Sequence, residues 1–114
     1  MTSKREQMNF SERLSVHAIH IVIGSDERLL QFLFHHKELR LRLSVDELLD
    51  EARVFSRGEF LLIQTAIDLW CGEAKTPLND LLSALDDQAL LRVLQAIAYK
   101  REMVEAWEAL TCCE

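Results

Sequence analysis

The chain has 114 residues, 49% hydrophobic and 28% charged, with a formal net charge of -6. That length suits one domain with a core of its own, and three glycines with one proline favour long regular elements. The acidic balance disfavours direct nucleic-acid binding, which rests on cationic contacts to phosphate, and no run approaches the ~20 apolar residues that cross a bilayer.

Residues 1–9 read as a disordered N-terminal segment and residues 10–114 as a single helical domain. The start, MTSKREQMNF, has two basic residues but no apolar segment behind it before Leu14. It does not read as a signal peptide, and the protein is placed in the cytoplasm.

The stretch LSVHAIHIVIG is ambiguous. Val16, Ile19, Ile21, Val22 and Ile23 are β-branched and favour a strand. Leu14, Ala18, Ile21 and Val22 also fit a helical stripe, with Ser11 before them as a cap and Gly24 after them as a stop. SDERLLQFLFHHKE reads as helix, capped by Ser25. LRLRLS alternates with period two, which is a strand signal. The predicted fold is therefore mainly α, a small helical bundle of about five helices. A short two-stranded β element formed by residues 16–23 and 39–43 stays open as the alternative.

The second half is plainer. SVDELLDEARVF opens with Ser44 as N-cap and Glu47 three residues later, the spacing of a capping box. Leu48, Leu49, Ala52 and Phe55 then recur at helical spacing. Asp46, Glu47, Asp50 and Glu51 fill the opposite face, where carboxylates favour the positive end of the helix dipole. The box repeats at Ser56 and Glu59, starting a helix through FLLIQTAIDLWCG. That helix has few polar positions and is predicted to be central, with Gly72 as a left-handed stop. Thr76 reads as the next cap, Pro77 as the first helical residue, and Leu78, Leu81, Leu82 and Leu85 as the buried side of a short helix. Asp86 caps the last helix, from about Asp87 towards Leu110. Its predicted stripe is Leu90, Leu91, Leu94, Ile97 and Ala98, and further on Val104 and Trp107. At 1.5 Å per residue its outer turns extend past a small core, which makes it a candidate dimer contact.

The three cysteines are no disulfide framework. Their number is odd, and Cys112 and Cys113 are neighbours. A reducing compartment suits all three. Cys71 sits at a predicted helix C-terminus, where the dipole does not activate a thiol.

The constellations that carry chemistry are few. There is no G-x-S-x-G, no G-x-x-x-x-G-K and no G-x-G-x-x-G, and nothing calls for a cofactor. His17 and His20 share a face only on a helix, and no paired C-x-x-C appears to complete a zinc site; no metal is assigned. Arg28 and His35 stand as Arg-x6-His. That spacing resembles the arginine-to-histidine motif of HEPN ribonucleases. The resemblance covers eight residues. It implies a small helical dimer in which Arg28 holds the scissile phosphate and His35 acts as acid or base without a metal. Read from their own neighbours, Arg28 instead pairs with a nearby acid such as Asp26 or Glu27, and His35 ends a helix.

Charge is spread unevenly. Residues 1–43 carry seven basic and five acidic side chains, residues 44–114 six and fourteen. The chain thus reads as a non-enzymatic protein-binding module, accessory, regulatory or inhibitory. It engages a basic surface on another protein through Asp46, Asp50 and Glu51, with Trp107 as an apolar anchor. Lys37, Arg40 and Arg42 are the concentrated positive patch and the expected contact of a homodimer. A HEPN-like ribonuclease is the alternative.

Overall fold

A computed structural model describes residues 10–24, 26–103, 105 and 108. Within them run α1 (Phe10–Ile23), α2 (Glu27–Leu33), α3 (Val45–Glu51), α4 (Arg57–Trp70), α5 (Leu78–Ala84) and α6 (Asp87–Lys100). One 3-10 turn, Ala52–Val54, extends α3. The protein is a mainly helical bundle.

The central helix is α4. It buries Leu61, Leu62, Ile63, Thr65, Ala66, Ile67 and Leu69, so nearly its whole circumference is covered. Ser56 and Glu59 form the full capping box at its start. Helix α1 packs against both α4 and α6 and buries Ala18, Ile19, Val22 and Ile23. That burial decides the ambiguous stretch. The β-branched residues of 16–23 lie in a helix because packing from both sides outweighs their local strand preference. Gly24 ends the helix in the left-handed region at φ 71°, its amide donating to His20 O at 2.8 Å.

The β alternative is not realised among the described residues. Leu41 makes a single antiparallel bridge to Phe34, framed by His35 N–H to Arg40 O and Arg42 N–H to Leu33 O. Helix α2 is also shorter than its pattern suggests. Its N-cap is Asp26, which accepts from the amides of Arg28 and Leu29; Ser25 lies outside the described residues. The helix stops before the histidines because Phe34 turns extended and packs edge-on to Trp70, ring centroids 5.3 Å apart.

Caps account for the other boundaries. Ser44 accepts from Glu47 N–H and Asp86 from Ala89 N–H at 2.8 Å. Pro77, rather than Thr76, occupies the N-cap of α5, because Thr76 is drawn to Asp68. That carboxylate accepts from the amides of Ala74, Lys75 and Thr76 and from the Thr76 hydroxyl, and so closes the α4–α5 loop.

The end of α6 differs from the sequence reading. The helix stops at Lys100 instead of running on towards Leu110. Glu102 N–H donates to Tyr99 O and Met103 N–H to Ala98 O, with Glu102 at φ 61°. These are the two bonds of a Schellman stop. Val104 and Trp107 fall outside the described side chains.

The buried face of α6 is also not the predicted one. Ala89, Val93 and Ala96 face the core. Leu91, Leu94 and Ile97 are 53%, 43% and 50% exposed. On α5 only Leu81 is buried, while Leu78 and Leu82 stand in solvent. Small residues let α6 approach α1 closely, and the larger leucines are left outside.

Candidate functional site

Helix α3 offers one candidate surface. Leu48 is buried and anchors it, Leu49 packs partly against the core, and Asp46, Glu47, Asp50 and Glu51 are exposed. Glu51 lies 3.5 Å from the Arg42 guanidinium, and Asp50 lies 3.8 Å from Arg53. Contacts this exposed are worth little, so the carboxylates remain available. Val54, at the end of the following turn, is 86% exposed. Asp46 and Asp50 thus share one face of α3 at four-residue spacing, and Val54 stands bare in the 3-10 turn that follows.

A second feature is a cleft of about 630 Å³ between α1, α2 and the loop after α2. Val16, Leu30 and Phe34 give it apolar lining, and His20, His35 and Lys37 give it polar groups. Its loop is shaped by His35, whose Nδ1 accepts from the amides of Lys37 and Glu38, both at 3.2 Å. The imidazole does here what an asparagine side chain does in an Asx turn. An apolar lining with a few hydrogen-bonding groups is the general make-up of a ligand-binding cleft.

Within one chain, Arg28 and His35 have different surroundings. His35 lines the cleft and Arg28 does not. The Arg28 guanidinium contacts Glu59 and, at 3.5 Å, Asp26, and lies over the Phe55 ring at 5.2 Å. Glu59 is held below the usual carboxylate range, first by the Ser56 amide, then, against desolvation, by the Ser56 hydroxyl and Arg28.

The basic patch is largely engaged within its own chain. Arg40 Nε donates to Glu38 at 2.7 Å. Arg42 Nε donates to Phe32 O at 2.9 Å, with its guanidinium 5.1 Å from the Phe32 ring centroid. Lys37 is exposed at the cleft. His17 and His20 diverge in use: His17 stands by the Tyr99 ring at 5.8 Å, while His20 lines the cleft. Among the described residues, no group of three or more His, Cys, Asp or Glu is placed to hold a metal ion. No described helix is long and apolar enough to cross a membrane. Trp107 lies outside the described side chains.

Sequence reasoning missed Val54 and the outer leucines of α5 and α6. Val54 carried no signal, since one valine after a helix is ordinary. The chain matches no protein-family model, and comparison with curated proteins and with solved structures gives no significant match.

Proposed function

We propose that the chain is a non-enzymatic protein-binding module that presents the outer face of α3 to a basic surface on another protein. The observation that carries this is the exposed carboxylate face of α3, with Asp46 and Asp50 at four-residue spacing, Leu48 rooted in the core, and Val54 bare in the turn that follows. Carboxylates steer a cationic partner and set its register, and a bare aliphatic beside them supplies the apolar contact that charges alone lack. The helix holds the carboxylates in place before a partner arrives, which lowers the ordering cost of binding. Regulatory, accessory and inhibitory roles all use this chemistry.

The test is affinity capture from a native lysate across a salt series, using the full chain as bait. A protein retained in stoichiometric amount at low salt and lost as salt rises supports the reading, because exposed charges are screened over a Debye length of ~8–10 Å. A partner retained regardless of salt speaks against it.

A further inference from the structure

Helix α6 has two apolar faces, and the fold uses one. Ala89, Val93 and Ala96 are buried against the bundle, while Leu91, Leu94 and Ile97 remain about half exposed. Around Leu94 the outer face is symmetric in its chemistry. Leu91 and Ile97 stand three residues to either side and Asp87 and Arg101 seven, while Leu90, four residues before Leu94, packs against the core instead.

From this symmetry we infer that the outer face of α6 is the contact between two copies of the chain, packed antiparallel about a twofold axis through Leu94. In that arrangement Leu91 of each copy meets Ile97 of the other, Leu94 meets its own copy, and Asp87 faces Arg101 at both ends. Both charged residues are exposed. The distance from 87 to 101 is about 21 Å at 1.5 Å per residue, so the two ion pairs close the seam at its ends. Antiparallel packing also sets the helix dipoles in opposition. Each helix alone explains an acid at its start and a base at its end; it does not explain the row of aliphatics between them.

Such an interface is isologous and therefore closes at two copies. A single helix pair is small, which makes the dimer reversible rather than permanent. The inference places the expected dimer contact away from Lys37, Arg40 and Arg42, and is independent of the α3 surface.

The experiment is sedimentation equilibrium of the full-length chain up to ~500 µM, a range suited to a weak, transient interface. The parent chain is expected to show a concentration-dependent dimer. Leu94→Glu, at an exposed position that tolerates charge in the folded monomer, is expected to remove it. Asp87→Arg alone or Arg101→Asp alone weakens association about three- to tenfold by facing like charges at both ends of the seam, and the two together restore it. Far-ultraviolet circular dichroism confirms that each variant is folded. A parent chain that stays monomeric, a Leu94→Glu chain that still dimerises, or a double exchange that fails to restore what each single exchange removed would each overturn the inference. Those outcomes would assign the stripe to another occupant, such as the chain's own C-terminal segment.

Discussion

Lys100 on α6 donates to the hydroxyl of Ser15 on α1 at 2.7 Å, and the same ammonium reaches the carbonyl of Leu69 in the last turn of α4. Ser15 in turn donates to Ser11 O at 3.1 Å. One side chain thus ties three helices together and serves a helix C-terminus with the charge it favours. Replacing Lys100 with Met keeps the stem and removes the donors. The variant is expected to lose about 1–2 kcal/mol, read as a lower urea midpoint with an unchanged slope. An unchanged midpoint would mean that the contact is idle.

Asp68 governs the loop between α4 and α5. Burial works to raise its pKa; the Thr76 hydroxyl and the amides of Thr76, Ala74 and Lys75 outweigh it, and the carboxyl ionises below the ordinary aspartate range. Because the folded value is depressed, its stabilising contribution is present above about pH 4 and is lost as pH falls through the folded value. Asp68→Ala is expected to cost about 1–3 kcal/mol at neutral pH and to flatten the acid limb of the stability profile. A variant whose stability falls in acid as steeply as the parent's would contradict this.

His35 acts as the acceptor for two loop amides. His35→Asn, which can still accept, is expected to keep the Lys37 and Glu38 amides protected in hydrogen exchange. His35→Ala exposes them at a cost of about 0.5–1.5 kcal/mol. Neither change, nor Arg28→Ala, is expected to alter partner capture. If Arg28→Ala and His35→Ala each abolished a measurable ribonuclease activity, the binding reading would yield to the HEPN-like one.

Glu102 occupies the left-handed position of the α6 stop, at φ 61°. L-residues are strained there and glycine is not. Glu102→Gly is therefore expected to stabilise the chain by about 0.5–1 kcal/mol, net of glycine's greater freedom when unfolded. A rise in the thermal midpoint checks it.

Much of the helical frame was legible because it rests on local chemistry. Ser44, Ser56 and Asp86 cap as their spacing implies, and Gly24 and Gly72 both adopt positive φ. The centrality of α4 followed from its lack of polar positions. What local pattern could not decide was orientation. In α6 the stripe of Leu91, Leu94 and Ile97 is the more hydrophobic face, yet Ala89, Val93 and Ala96 go inward, because close approach to α1 favours small side chains. Likewise, nothing in SDERLLQFLFHHKE announces a stop at Leu33; contact with Trp70 and Leu41 draws Phe34 out of the helix. The acidic face of α3 was legible as composition, while the exposure of Val54 in the turn beyond it emerged only from the packing.

The most direct test of the binding account is partner capture with charge exchanged at chosen places. Asp46→Lys/Asp50→Lys is compared with Glu73→Lys/Glu102→Lys, which carries the same net charge from exposed positions elsewhere. The account predicts that the first variant, folded by circular dichroism, loses the protein partner that the parent retains, and that the second keeps it. Equal loss from both would reduce the effect to net charge. Retention by the α3 variant, or recovery of RNA alone in a manner dependent on Lys37, Arg40 and Arg42, would contradict the account.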